Sequence, residues 1–283
     1  MRLSFVCNPT IYHYFTEYLH PLFYWLKQIN VNYDVLFRNN PNLYTQLKNS
    51  DCIICIQTLD LDLSLIENPL KRVIVLNTEQ NSRKTVYYHQ LLDVLQKGFK
   101  VLDFHKGNMD CLNQHTNHVY QKQLLYLPCL YNPEDTILDQ PKTKKICFIG
   151  TMTDYRKKIL SSFPFVDVIQ EFGEPRDQKL GQYKILLNLS ANENYQVFET
   201  IRCYRCLYHG IQVISQEKKW KDQTPIENLV HFTSDQDLLS TIQNLSSKSF
   251  PKLDPSIFHS WSLLYIQTFI KEISQNLSLD AFL

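Results

Sequence analysis

Glu199 and Arg202, three residues apart where an apolar run gives way to a helix-forming segment, are a pairing that can do chemistry on a phosphorylated sugar. A guanidinium is a planar fork of donors matching a phosphate, and a carboxylate beside it accepts two hydroxyls of a ribose or hexose. A helix N-terminus adds unsatisfied N–H groups and partial positive charge. The combination fits a sugar nucleotide; on spacing alone it fits a solvated ion pair equally well. Two Cys-x-x-Cys pairs, Cys52/Cys55 and Cys203/Cys206, invite a zinc reading. The first lies in CIICI, a strand in which i and i+3 point to opposite faces, and no His accompanies either pair closely. Asp60-Leu61-Asp62 has the form of a divalent-metal pair, but its alternating LDLDLSL context suits an amphipathic turn. No metal and no bound cofactor is expected.

The element that must position Glu199 and Arg202 is residues 183–216, which read as buried strand, polar loop, helix, one glycine and buried strand. Ile185, Leu186, Leu187 and Leu189 form the continuous apolar run of a strand covered on both faces. Asn192 and Asn194 are cap-type residues, Gly210 suits a left-handed helix end, and Ile211, Val213 and Ile214 make the next strand. On a helical wheel Val197, Ile201, Tyr204, Leu207 and Tyr208 share one side, expected to face the sheet. Glu199, Arg202, Cys203 and Cys206 share the other, expected to be exposed near the open strand ends where ligands bind.

The first half alternates strands (3–7, 33–37, 52–56, 72–77, 100–104, 124–127) with helices at 11–29, interrupted by Pro21, at 43–48 and at 83–96. Such alternation implies a doubly wound parallel sheet. Prolines 128, 133 and 141 with scattered charges mark a linker over 133–144, separating an N-terminal α/β domain (1–132) from a second one (145–256). The second contains strands at 146–150, 166–169 and 230–232 and helices at 154–161 and 235–245. The tail, 257–283, places Trp261, Leu264, Tyr265, Phe269, Ile273 and Leu277 at helical spacing; peripheral membrane contact is a rival use for that face.

A formal net charge of +1 with 20% charged residues lacks the usual footprint of a polyanion binder, so no nucleic-acid partner is expected. Eight cysteines without regular spacing, no signal peptide and no 18-residue apolar stretch point to a reducing cytoplasm.

Several segments resemble, in order, the GT-B-fold glycosyltransferases related to the spore-maturation-protein-like group. The signature "LN", loop, "FE-x-x-R", "VVSE" is similar to Leu187-Asn188, Phe198-Glu199-Thr200-Ile201-Arg202 and Val213-Ile214-Ser215-Gln216, with Gln216 departing from Glu. VIVLNTEQ (73–80) resembles a strand ending "N-x-EQ"; KVLDFHKGN (100–108) resembles "V-x-D-Y-S-x-x-N" through Asp103 and Asn108. LLYLPCLYNP (124–133) resembles the interdomain crossing, and ICFIGTMTDYRK (146–157) resembles "FIGS…R" through Gly150 and Arg156. The first 60 residues carry little of it, with Asn8-Pro9-Thr10 where many such enzymes have a glycine-rich turn.

The resemblance implies two Rossmann-like domains facing across a cleft, the N-terminal one taking the acceptor, with the last helix crossing back to it. It implies transfer of a sugar from a UDP- or GDP-type donor onto a glycan or other hydroxyl, without a metal. Gly150, Arg156, Asn188, Tyr195, Glu199 and Arg202 would hold the donor. Glu79, then His13, would be the base, with Asp103 and His105 also at strand ends. A non-catalytic scaffold of the same fold, binding a nucleotide or glycan, is the alternative, and an interaction protein using the tail helix a third reading.

Overall fold

Short runs that are apolar at every position become strands buried on both faces, and the polar stretches between them become covering helices. The computed structural model describes residues 1–137, 140–246, 248 and 254–278. Its first sheet is built from β1 (Arg2–Cys7), β2 (Asn32–Phe37), β3 (Cys52–Ile56), β4 (Val73–Asn77), β5 (Lys100–Asp103) and β6 (Leu124–Tyr126). The order is β2-β1-β3-β4-β5-β6, every pair parallel. Helices α1 (Tyr12–Gln28), α2 (Leu43–Leu47), α3 (Pro69–Arg72), α4 (Val86–Gln96) and α5 (Lys106–His115) connect the strands. The second sheet takes β7 (Lys144–Ile149), β8 (Asp167–Ile169), β9 (Tyr183–Asn188), β10 (Gln212–Gln216) and β11 (Val230–Thr233) in the order β11-β10-β9-β7-β8, again all parallel. Its helices are α6 (Asp154–Leu160), α7 (Glu174–Leu180), α8 (Thr200–Tyr208) and α9 (Leu238–Ser246); α10 (Pro255–Ser278) follows.

The chain divides into two compact units, Met1–Leu130 together with the chain from His259 onward, and Tyr131–Phe258. Each has its own core. In the first, Val6, Ile53, Val75 and Val101 pack with Leu91 and Leu95 of α4. In the second, Ile146, Phe148, Ile185, Leu187 and Ile214 pack with Leu238 and Ile242 of α9. These are two α/β units with Rossmann-like parallel sheets, and in each the strand order reverses once, between β1 and β3 and between β7 and β9. Such a reversal opens a crevice at the carboxyl ends of the two strands.

Several local expectations are corrected. Pro21 lies inside α1 without ending it, because Tyr18, Leu19, Leu22, Phe23, Trp25 and Leu26 bury the helix on both sides of the proline. α5 and α7 form where the sequence shows little periodicity. α5 starts on an N-cap by His105, whose ring nitrogen accepts from the Asn108 N–H at 3.1 Å; α7 starts on Pro175 behind Gly173. α8 begins only at Thr200, so Asn192 and Asn194 belong to the preceding loop. In α10 Leu264 is 61% exposed, and Ser262 and Ile266 take its place beside Trp261, Phe269 and Ile273 in the buried stripe. Residues 279–283 of the expected tail lie outside the described residues. No helix among the described residues is long and apolar enough to cross a membrane.

Candidate functional site

The crevice between β7 and β9 gathers six residues singled out in the sequence. β7 ends at Ile149 and turns at Gly150, whose φ of +135° only glycine adopts without strain. A side chain there would also collide, its Cβ falling 2.8 Å from Arg202 Nη1 and 3.3 Å from Arg156 Nη1. The missing side chain therefore lets two guanidiniums close around the backbone. Arg202 donates to the Ile149 carbonyl at 2.6 Å and pairs with Glu199. Arg156, 5% exposed, lies over the Phe148 ring and donates to the carbonyls of Thr151 (2.8 Å), Leu189 (2.8 Å) and Ser190 (3.1 Å). Glu199 sits 3.8 Å from Arg156, so one carboxylate is shared by both guanidiniums.

Sequence reading missed a third cation. Lys218, two residues past β10, is 7% exposed, and its ammonium donates to the Ser190 hydroxyl and to the Tyr195 carbonyl. Burial pushes it down to about 8; Asp235 opposes that shift, while Arg156 and Arg202 add to it. Its neighbourhood is thus cationic enough to count against its own charge. The available signal was a lysine just past a strand's carboxyl end, in the run Glu217-Lys218-Lys219, but nothing local distinguishes it from its exposed neighbours. Gln216, standing where the resembling family has Glu, accepts from the Ser190 N–H at 2.8 Å and donates to Asp235 at 2.7 Å and Tyr155 at 2.9 Å. A carboxylate there could not donate to Asp235. Asn188, 1% exposed, donates to Ser215 at 3.0 Å, and its Oδ1 meets no hydrogen-bond partner. Tyr195 contributes its carbonyl, which also accepts from Ser190 at 3.3 Å, and its ring is half-buried.

The helix wheel put Arg202 on an exposed side turned away from the sheet, and the structure corrects that facing. Cys203 and Cys206 are fully buried, Cys206 lying near Cys147 of β7, so this side faces the sheet. The opposite, aromatic side is buried too, because the chain after β10 folds over it: the Tyr204 hydroxyl meets Asp222 at 2.8 Å and Thr224 at 2.6 Å. A wheel ranks faces by polarity; it does not register a helix covered on two sides. Arg202 reaches the strand ends because it occupies the first turn of the sheet-facing side.

In the first unit, His13 lies exposed in the first turn of α1, and Glu79 follows β4. β1 and β4 are separated by β3, which puts their ends about 10 Å apart across the sheet. Glu79 is held by Arg83 at 3.2 Å and by Gln57, and burial raises its carboxyl above the ordinary value. Asp103 and His105 are structural. Asp103, 2% exposed, accepts from Asn77 and Asn108 at 2.7 Å each and from the His105 N–H at 2.9 Å. His105 is spent on the α5 cap, and burial lowers it to about 3. Asp60 is taken by Arg38 and Thr58, and Asp62 by Ser64. No group of three or more His, Cys, Asp or Glu among the described residues is disposed to hold a metal ion, and all eight cysteines are free and buried.

No family model matches the chain. Two uncharacterized proteins of Acanthamoeba polyphaga mimivirus are similar, one 24% identical over 90% of this chain and 35% of its own length, the other 21% identical over 86% and 29%. The chain thus spans about a third of the length of these relatives. Among solved structures, an alpha-glucosyltransferase in complex with UDP and a 13-mer DNA containing a HMU base matches with a TM-score of 0.61, at 8% identity over 98% of this chain and 99% of that one. The alpha-glucosyltransferase in complex with UDP matches at 0.59, with 9% identity over 98% and 100%. At such identities the likeness is one of fold, and the fold is that of the GT-B glycosyltransferases. The exclusion of nucleic acid drawn from net charge does not stand, since the alpha-glucosyltransferase of this fold is held with DNA. Net charge averages over the whole surface and says nothing of a local patch.

Proposed function

We propose that the protein is a glycosyltransferase that moves a sugar from a nucleoside-diphosphate sugar onto a hydroxyl acceptor. The observation that carries this is the charge balance at the β7/β9 crevice: Arg156, Arg202 and Lys218 converge there against two carboxylates, Glu199 paired with both guanidiniums and Asp235 acting on Lys218. A surplus of buried positive charge is costly unless an anion joins it. A diphosphate supplies that anion, and cations already fixed in place stabilise it as it departs from the sugar carbon without reorganising. In this reading the cations, not a divalent metal, neutralise the leaving group, so transfer survives EDTA. UDP is the first nucleotide to try, because solved glycosyltransferases of this fold hold it. Glu79, the better placed of the two candidate bases by its raised carboxyl, takes the acceptor's proton if the reaction inverts.

A non-catalytic nucleotide-binding protein of the same fold is the second reading. What favours it is Glu199, whose carboxylate is already engaged by both guanidiniums and so less open to a sugar. One experiment addresses both. UDP should raise the melting temperature, and Arg202→Ala should weaken UDP binding by about tenfold or more. An Arg202→Ala protein that keeps full UDP affinity refutes the assigned site. Stabilisation by UDP with no turnover of a panel of UDP-sugars, by hydrolysis or transfer, leaves the scaffold reading.

A further inference from the structure

At the amino ends of β3 and β4, opposite the strand ends that lead to Glu79, an open cavity of about 390 Å³ is lined by Lys48, Lys71 and Arg72, with Asp51, Glu67 and Leu277. A second, of about 250 Å³, shares Lys48, Glu67 and Arg72 with it and adds Leu47, Leu65 and Ile66. The two therefore adjoin at Arg72, one walled mainly by charged side chains and the other half by aliphatic ones. The Arg72 guanidinium is fixed without being neutralised. Its Nη2 donates to the carbonyls of Leu47, at 3.1 Å, and Ser50, its Nη1 donates to that of Glu67 at 3.4 Å, and no carboxylate among the described residues pairs with it. Three of a guanidinium's five N–H groups are thus spent on neutral acceptors, and two remain for a ligand. Of the two carboxylates, Asp51 is engaged by the Arg2 N–H at 2.7 Å, while Glu67 is exposed. Leu65, in the smaller cavity, leaves 53% of an aliphatic side chain to water.

We propose that these adjoining cavities bind a phosphate monoester with an apolar chain, the phosphate held by Arg72, Lys48 and Lys71 and the chain lying along Leu47, Leu65 and Ile66. A guanidinium fork matches two phosphate oxygens, and the ammonium groups beside it add charge. The carbonyl bonds already hold the fork in place, so little freedom is lost when the anion arrives. The larger volume falls within the roughly 300–1,000 Å³ of small-molecule sites. Burial of Leu65 and of the chain together supplies the apolar part of the affinity. Binding here does not depend on sugar transfer, because the cavities lie at the other end of the sheet from Glu79.

The test titrates hexyl phosphate, inorganic phosphate and hexan-1-ol into the full chain while its amide resonances are followed. Hexyl phosphate should shift residues 47–51 and 65–72 and bind about tenfold more tightly than either of the others. Three exposed positions can be changed without unfolding the chain. Lys48→Ala should weaken hexyl phosphate about threefold, and Glu67→Gln should tighten it about threefold by removing a like charge. Leu65→Asn should weaken hexyl phosphate and leave inorganic phosphate unchanged. Arg72 is kept, since its carbonyl bonds tie the segment before β3 to the one before β4. The proposal is overturned by no shift in those two segments, by looser binding in Glu67→Gln, which would mark a cation site, or by inorganic phosphate or hexan-1-ol matching hexyl phosphate. Failure of UDP to stabilise the unaltered chain would remove the transfer reading and leave this one standing.

Discussion

At the scale of single residues, the site depends on how far each charge is buried. Lys218 shows it best. Its ordinary pKa of 10.5 falls to about 8 in the folded chain, so between about 8 and 10.5 the unfolded chain holds a proton that the native chain lacks. The native state therefore gains stability as pH rises through that window, relative to Lys218→Met, and the cost of the buried ammonium is fully present below it. An incoming diphosphate reverses the preference by pairing the charge. UDP affinity in the unaltered chain should decline as pH rises above about 8, by up to about tenfold per unit. Lys218→Met should bind more weakly, with that part of the pH dependence gone. Calorimetric titrations at several pH values read both, the variant subtracting the nucleotide's own ionisation; an unchanged pH profile in the variant would remove Lys218 from the site. Gly150, Arg156, Glu199 and Arg202 were legible as types and spacings. Lys218 was not, because only its enclosure by Ser190, Tyr195 and the two arginines separates it from Lys219.

At the scale of elements, α8 has two ends with different work. Its first turn brings Arg202 to the strand ends. One turn later Arg205 grips Asp135 at 2.7 and 2.5 Å and Asp177 at 3.0 and 2.6 Å, tying the segment that enters this unit, and α7, to the same helix. Burial alone would raise Asp135, yet the Arg205 fork, with His209 3.8 Å away, holds it well below the usual carboxylate range. Its stabilising effect is thus present above the unfolded value of 3.8 and is lost as pH falls through the lower folded one. Arg205→Ala would strand Asp135, while Asp177 keeps Arg176 at 2.6 Å, and should cost about 3–5 kcal/mol in urea unfolding; Arg205→Lys should recover only part of it, lacking the fork. A loss below about 1 kcal/mol would mean that these carboxylates are solvated. Strands were the most legible elements, since β3 and β4 are apolar at nearly every position. α5 and α7 were not, because each rests on a cap and on contacts from other elements rather than on its own periodicity. The same holds for the Asn77–Asp103–Asn108 network, whose letters look like chemistry and whose geometry ties β4 to β5 and α5.

At the scale of the whole molecule, two sheets with separate cores imply that ligand binding stabilises one unit more than the other. UDP at a hundred times its Kd contributes about 2.7 kcal/mol to the species that binds it. Hydrogen exchange should therefore slow in residues 144–233 and little in β1 to β6; equal protection of both sheets would contradict a site confined to the second unit. The sequence by itself determined the α/β class, the parallel sheets and the residues available at strand ends, because each follows from local periodicity and from the apolar runs that two-sided burial demands. Tertiary structure alone decided which side of α8 meets the sheet, that Gln216 bridges Ser190 to Asp235, and that Lys218 comes within electrostatic reach of the two guanidiniums that close on Gly150. Those outcomes turn on groups far apart in the chain sharing one enclosed space, where the loss of water sets their charge and pairing.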